Sequence, residues 1–510
     1  MFRSYNPGQG QLPMHLEDLV PADDLVRVVH EVVERLDITE ILDAIKARRK
    51  KSQFRGEPAY HPRLLLKLLL YGYCTGTFSS RKLAEQTRTF IPMMWLAGTE
   101  HPDFRTISDF RHEHLEAIAK LFVQVLQLAK ALGMVKLGHV AVDGSKFKAS
   151  ASKYKNLSKE KLKTEIPKLQ AEVQRLLQQA EAADKAEDAE YGNQEGSTLP
   201  PELKEKQVRL ARMERAMAEL QAQVENGERS QRTDPEKQSI NPTDRDSRIM
   251  SRRNGASTQS YNAQIAVDGD SGVIVGTGVS NNPIDAPQLT DTLDDVQAAT
   301  GKQPEKLSAD TGYFSGDNLV ALEERQIDGY IADAITETKQ AVNAYSKENF
   351  QYDEERDAYT CPQGQCLPFY RQYLLPDGRV QRRYRDASVC KACPVQEQCT
   401  KSKRGRVIAH DQHEPRRAAM RAKLKTPEGK KEYGRRKGIV EPVFGQIKQA
   451  MGYRQVSLRS LTKVRNEFRF VCSAFNLRKI AAKLRENPEL WSLLRKWTPD
   501  LGQLPTPTQA

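Results

Sequence analysis

A single change of hydrophobic period constrains this 510-residue chain more than any other feature. Up to about residue 130 the apolar residues recur at helical spacing; over residues 135–142 they run together, rich in β-branched side chains, and stop at Asp143-Gly144. Two further strand candidates, 261–267 and 272–279, flank the turn sequence Asp268-Gly269-Asp270-Ser271-Gly272, a hairpin signal. A helix near 287–298, a strand over 306–309 ending at Asp310, a helix over 316–325 and a strand over 329–332 follow. That order predicts an α/β fold in which helices pack on a mixed sheet.

The helical part is punctuated. Residues 25–42 have one apolar stripe, Pro62 opens a strongly apolar stretch over 64–71 broken by Gly72 and Gly76, Ser79 or Ser80 caps a short helix, and another starts near Thr106. Short helices joined by tight turns fit either a helix-turn-helix or an ordinary bundle. Two segments interrupt the sheet pattern. Across 152–240, Leu162, Ile166, Leu169, Val173 and Leu176 step by four and three, and Leu203, Leu210, Met217 and Val224 step by seven, the two seams of a helical hairpin. Its blander reading is a spacer without chemistry. The second interruption, 345–410, is cysteine-rich.

A chain of this length divides into about two to four domains. The boundaries read as a helical N-terminal domain at 1–130, a sheet core built from 131–151 and 241–344, the hairpin at 152–240, the cysteine-rich insertion at 345–410, a basic helical segment at 411–485 and a tail at 486–510. No apolar run is long enough for a membrane span, and the start MFRSYNPGQG carries no apolar signal region, which points away from secretion.

The net charge of +12 is unevenly spread. Residues 401–440 hold 14 Lys/Arg against 4 Asp/Glu and residues 441–480 hold 8 against 2, so these windows carry +16 and the rest of the chain −4. Concentrated positive charge is the footprint of a polyanion, because binding releases the counterions of its phosphates. A solvated basic face is the alternative.

Asp143 and Asp310 each end a strand candidate, and each has an ordinary explanation as a turn residue. Ligands gather at the carboxyl ends of strands in open sheets, so the two acids meet if their strands are neighbours. Paired carboxylates repel unless a proton or cation lies between them, and Mg²⁺ suits such oxygen ligands together with phosphate. Glu441 lies in Tyr433-x-x-Arg436-x-x-x-x-Glu441 and Lys448 follows two helical turns later on the same face. Pro442 implies that a helix begins near Glu441. Glu432 is a nearby acid outside this pattern, and its replacement by Gln is expected to be nearly silent.

The segments VAVDGSKFKASAS, SADTGYFSGDNL and RRKGIVEPVFGQIKQAMGYR, in that order, resemble the three catalytic blocks of the DDE transposases of bacterial insertion sequences. The N-terminal YHPRLLLKLLLYGYCTGTFSSRKLAE and the later NPTDRDSRIM and SYNAQIAV resemble the same family, so the likeness spans nearly the whole chain. It implies a ribonuclease H-like core. By carry-over, Asp143, Asp310 and Glu441 match the acidic triad that holds two Mg²⁺ or Mn²⁺ ions, and Tyr433, Arg436 and Lys448 match DNA contacts. In the broader group three residues separate the Arg from the Glu; four separate Arg436 from Glu441, and Lys437, which restores the gap, breaks the Tyr spacing.

The implied activity is metal-dependent strand cleavage and strand transfer at the terminal inverted repeats of an element, with double-stranded DNA as partner and a homodimer or higher oligomer on it. The implied place is the bacterial cytoplasm, at the nucleoid. A nuclease that cuts without joining and a non-catalytic DNA-binding regulator are the rivals.

Five of the seven cysteines fall in the second interruption. Cys390-x-x-Cys393 has zinc-ligand spacing and, with Cys361 and Cys399, completes a four-thiolate set, Cys366 being a substitute ligand. Such a site would hold an insertion that lacks its own core. Free thiols and disulfides are the alternatives. Cys74 and Cys472 lie in apolar helical contexts and read as core residues.

Overall fold

The computed structural model describes residues 15–51, 60–98, 100–191, 201–227, 234–251, 255–333, 344–375 and 380–503. Most of the tail beyond Pro499 and the joint of the helical hairpin lie outside the described residues.

The N-terminal stretch is helical, with two departures from the sequence reading. The stripe over 25–42 is two helices, Leu25–Arg35 and Thr39–Lys51. The break follows from Leu36, whose backbone is extended, and from Asp37, whose carboxylate accepts the Thr39 N–H at 3.1 Å and restarts the chain. The buried Gln124 clamps that joint by bonding the Asp37 N–H (2.8 Å) and carbonyl (3.0 Å). Gly72 does not break the helix Pro62–Thr75; the helix ends at Gly76, in the left-handed region at φ 82°. Gly72 is instead a contact point, because a Cβ there would lie 2.4 Å from a Leu83 methyl of the next helix, Ser80–Thr89. The helix Phe104–Glu113 starts two residues earlier than read, capped by Asp103.

The helix Leu115–Ala131 leads into the sheet. The chain enters it with β1 (His139–Lys148) and leaves it for an arm based on the short pair β2 (Leu157–Ser158) and β3 (Ser239–Ile240). It returns with β4 (Arg248–Ser251), β5 (Ser257–Asp268), β6 (Ile274–Ser280), β7 (Lys306–Ala309) and β8 (Asp328–Ile331). The arm contains the helices Lys159–Tyr191 and Pro201–Glu225, which bury Leu162, Leu169, Met213, Ala216 and Leu220 along the expected seam. In the sheet, β1 is antiparallel to β5 and parallel to β7, and β7 is parallel to β8. The long β5 also pairs with β4 near its start and with β6 over the rest. This mixed sheet with helices packed on it is the expected α/β architecture, and it is consistent with a ribonuclease H-like core behind a helical N-terminal region.

One continuous apolar core joins the N-terminal helices to the sheet. Val29, Leu69 and Phe122 belong to the same buried cluster as Val142, Ile265 and Phe475. The helix Leu461–Glu486 is central to it, packing on Leu115–Ala131 and on β6. Cys74 and Cys472 are fully buried in this core, as read.

The cysteine-rich segment corrects an expectation. It is a five-stranded antiparallel sheet of β9 (Gln351–Asp353), β10 (Ala358–Thr360), β11 (Cys366–Leu374), β12 (Val380–Tyr384) and β13 (Ile408–Asp411). It has a small core of its own, Phe350, Tyr359, Leu367, Tyr384 and Ile408. Aromatic residues scattered without period supply that core, so sequence periodicity did not reveal it.

After β13 the chain forms the helices Glu414–Lys425 and Pro427–Gly445. Pro442 does not begin a helix at Glu441: it lies inside Pro427–Gly445, which continues into a single π-helical turn, Gln446–Ala450. Burial of Ile439, Val440, Val443 and Phe444 outweighs the local preference of a residue before proline. Such π turns often sit at functional sites.

Candidate active site

Strand register brings two of the expected acids together. In the parallel pair β1–β7, Val142 lies opposite Ala309, so the next residues, Asp143 and Asp310, emerge side by side. Asp143-Gly144 is not a turn. The strand runs on to Lys148 because Gly144–Lys148 stay paired with β5, from Gly144 opposite Gln264 to Lys148 opposite Ser260. Asp310 ends β7 and caps the turn Thr311–Tyr313, accepting the Gly312 N–H at 2.9 Å. Gly312 suits this crowding: a Cβ there would lie 3.0 Å from an Asp310 carboxylate oxygen and 3.2 Å from Asp285.

Electrostatics records the crowding. The Asp143 carboxyl is pushed up to about 6, first by burial and then by the Asp310 charge; the Arg436 guanidinium and the Gly144 N–H pull it down, and Asp285 adds to the rise. Arg436 is buried (5% exposed), with Nη1 3.9 Å from Asp143 Oδ2. Among the described residues its buried Nε has no hydrogen-bond partner.

Asp285, which the sequence reading passed over, borders the same cleft. Its Oδ1 accepts from Asn262 Nδ2 (2.6 Å), Gln264 Nε2 (2.9 Å) and Lys146 Nζ (3.2 Å). Gln264 in turn accepts from the buried Tyr313 hydroxyl. Nothing local marks Asp285, since an acid three residues before the helix Gln288–Thr300 is ordinary; the register of β5 with β1 places its partners there.

Glu441 lines this cleft from the other side, exposed on the helix Pro427–Gly445. Lys448, on the π turn, also lines it; its ammonium donates to the Ser145 hydroxyl and lies 4.7 Å from the Phe147 ring centroid. Tyr433 does not line it. Its ring packs with Tyr330, Ala332 and Leu424 on the far edge of the sheet, although the Arg436 guanidinium carbon lies 5.9 Å from its centroid. The structure thus gathers Asp143, Asp310, Glu441, Arg436 and Lys448 and leaves Tyr433 aside.

Glu432, the acid outside the motif, has structural partners. It is buried and accepts from His139 Nδ1 at 3.0 Å, while Lys306 Nζ lies 3.5 Å and Arg435 Nη1 3.4 Å away. The other ring nitrogen of His139 bonds Ser308 at 2.9 Å. This network ties the helix that carries Glu441 to the starts of β1 and β7. Burial raises the Glu432 carboxyl, but its bond to His139 and the nearby cations hold it below the usual range; burial drives the His139 imidazole down.

Cys361, Cys390, Cys393 and Cys399 border one cavity of the second sheet, and Cys366 is exposed on β11 outside it. Burial raises the Cys399 thiol, and the three neighbouring cysteines add to the rise. Among the described residues, however, no three or more His, Cys, Asp or Glu side chains form a group arranged to hold a metal ion, in this cavity or in the acid cleft. No described helix is long and apolar enough to cross a membrane.

Comparison with protein families gives two matches. The family described as Transposase DDE domain matches residues 360–481, which contain Glu441, Lys448 and the cysteines of the second sheet. The family described as Transposase domain (DUF772) matches residues 14–113, the N-terminal helices. No curated protein and no solved structure matches the chain. Two transposase families thus match separate parts of one chain, residues 14–113 and 360–481, and support a DDE-type transposase of an insertion sequence.

Proposed function

We propose that the cleft between β1, β7 and the helix Pro427–Gly445 cuts and rejoins DNA strands at the terminal inverted repeats of an insertion sequence. The observation that carries this reading is the side-by-side emergence of Asp143 and Asp310 in one cleft with Glu441. Their hard oxygens are of the kind that Mg²⁺ or Mn²⁺ takes, although they are not drawn together into a metal-holding group here, and the Asp143 carboxyl is raised first by burial and then by the Asp310 charge, the part that a cation would relieve. Two such ions, when bound, supply the charge that activates an attacking hydroxyl and stabilises the leaving oxygen. Arg436 orients Asp143, and Lys448, held by Ser145 and Phe147, sets a positive charge where a phosphodiester would lie. Tyr433 would act by supporting Arg436 from behind.

The other parts are assigned in the same reading. Residues 1–130 read the element's ends, the arm at 152–240 is a spacer, and Cys361, Cys390, Cys393 and Cys399 border one cavity of the sheet at 345–410 as four soft donors of the type Zn²⁺ takes; they are not arranged around an ion here and would have to draw together to hold one. The partner is double-stranded DNA at the bacterial nucleoid, bound by a homodimer or larger assembly.

Purified protein incubated with end-labelled terminal DNA tests the reading. The expected result is cleavage and joined products with Mg²⁺, and neither with chelator. Cleavage without joining would favour a nuclease, and binding without cleavage a regulator.

A further inference from the structure

Beyond Pro368, strand β11 leaves the core of the second sheet. Its residues from Phe369 onward are exposed or half-exposed on both faces, and over that length its one strand neighbour among the described residues is β12. The rings there are large and open: Phe369 is 42% and Tyr370 48% exposed.

The same ribbon is loaded with arginine. Arg371 lies directly opposite Arg383 across the β11–β12 ladder. Like charges in that position destabilise a sheet. Among the described residues, no carboxylate makes an ion pair with Arg371, Arg383 or Arg385, whereas the neighbouring Arg382 pairs with Asp357. The three guanidiniums are nevertheless held in place by rings. Arg385 lies 4.0 Å from the Tyr370 centroid, and Arg383 and Arg371 lie 4.2 Å and 5.3 Å from that of Tyr373. A guanidinium over a ring is attracted to it without occupying its N–H groups; Arg383 donates its Nε to Gln381 Oε1 at 3.0 Å, which leaves its two terminal nitrogens for phosphate.

Charge alone would blunt an open strand edge against unwanted pairing. It would not explain exposed rings beneath the charges, which add apolar surface where blunting calls for less. A restrained, uncompensated row of forks suits a polyanion, and the major groove of DNA admits a two-stranded ribbon.

We propose that the β11–β12 ribbon is a second DNA-binding surface, separate from the acid cleft, on which Arg371, Arg383 and Arg385 take successive phosphates of duplex DNA. This rests on the chain acting on DNA. The test measures binding of a terminal-repeat duplex across a salt series for wild-type protein and for R371A/R383A/R385A. Each lost phosphate contact lowers the slope of log affinity against log salt by about 0.9, so the triple variant should lose roughly two to three units of slope and at least about tenfold in affinity. Its cleavage when saturated with DNA should match wild type. The triple Arg→Lys variant, which keeps charge but not the planar fork, should fall between the two.

Wild-type protein supplies a readout independent of variant folding: bound duplex should protect these three arginines from phenylglyoxal. An unchanged slope in a folded triple variant, or equal modification with and without duplex, would overturn the ribbon assignment while leaving the cleft reading intact. A loss confined to single-stranded oligonucleotides would overturn the duplex assignment. Wild-type protein that binds no DNA would overturn both readings.

Discussion

The strand-borne acids and the helix-borne acid are placed by different physics. Asp143 and Asp310 are set by a backbone ladder: with Val142 opposite Ala309, the following side chains can only be neighbours. Glu441 rides on a helix whose position depends on side chains, the apolar row Ile439, Val440, Val443 and Phe444 and the buried Glu432–His139 contact. A ladder fails all at once, when the sheet unfolds, whereas a docked helix can shift while the fold persists. The two acids on strands should therefore be insensitive to distant substitutions, and the third should not.

The largest expected effect removes an acid itself. Asp143→Asn, Asp310→Asn and Glu441→Gln should each lower strand cleavage about a thousandfold or more, because several kcal/mol of charge stabilisation disappear. Duplex binding measured in chelator should hold or tighten, as an acid facing phosphate is lost. Full activity in Glu441→Gln alone would mean that the third acid lies elsewhere on the helix.

Next comes the docking contact. Glu432→Gln should lower activity roughly tenfold to a hundredfold and stability by about 1–3 kcal/mol, since His139 and Lys306 lose their buried partner. Urea melts and cleavage rates on one preparation separate the two effects. The strand-borne pair should keep its own signature, the raised Asp143 carboxyl, in this variant. A silent Glu432→Gln would remove the distinction between ladder-set and docking-set acids.

That last expectation reverses the sequence reading of Glu432, and the reason is general. The order of strands and helices was legible because burial imposes a period, and the ends of β1 and β7 could be paired in thought as neighbours. What local pattern could not carry was anything decided by contacts far along the chain. His139 and Glu432 stand 293 residues apart, and the partners of Asp285 come from β5 and β1. Local rules even misled where packing overrode them. Asp143-Gly144 read as a strand end but is held in line by β5, and Pro442 read as a helix start but lies within a helix pinned by buried neighbours. The second sheet was hidden because its tyrosines follow no period.

A smaller effect sharpens the comparison through pH. A carboxyl raised in the folded state favours folding below its unfolded value, 3.8, and that contribution is lost as pH rises through about 6. In chelator near pH 8, Asp143→Asn should therefore be more stable than wild type by about 1–3 kcal/mol. The gain should shrink as pH falls from about 7 toward 4. Urea melts across this range check it; a gain independent of pH would mean that neither burial nor the Asp310 charge raises this carboxyl.

The smallest stability effect is expected in the second sheet, which has its own apolar core. Metal analysis of chelator-free preparations should find about one Zn²⁺ per chain, and its removal should lower the melting temperature of this sheet without unfolding the acid cleft. Zinc near zero in folded protein would leave the cysteines as packed thiols.

The central claim is that Asp143, Asp310 and Glu441 act as one site for divalent ions although they are placed in two ways. The most direct measurement is Mn²⁺ binding, followed by the paramagnetic resonance of the free ion, in wild-type protein and in Asp143→Asn, Asp310→Asn and Glu441→Gln, each with terminal-repeat duplex bound. The account predicts Mn²⁺ binding in wild type that each single substitution weakens by about tenfold or more, a change of about 1.4 kcal/mol or greater. Equal Mn²⁺ affinity in wild type and all three variants would contradict it.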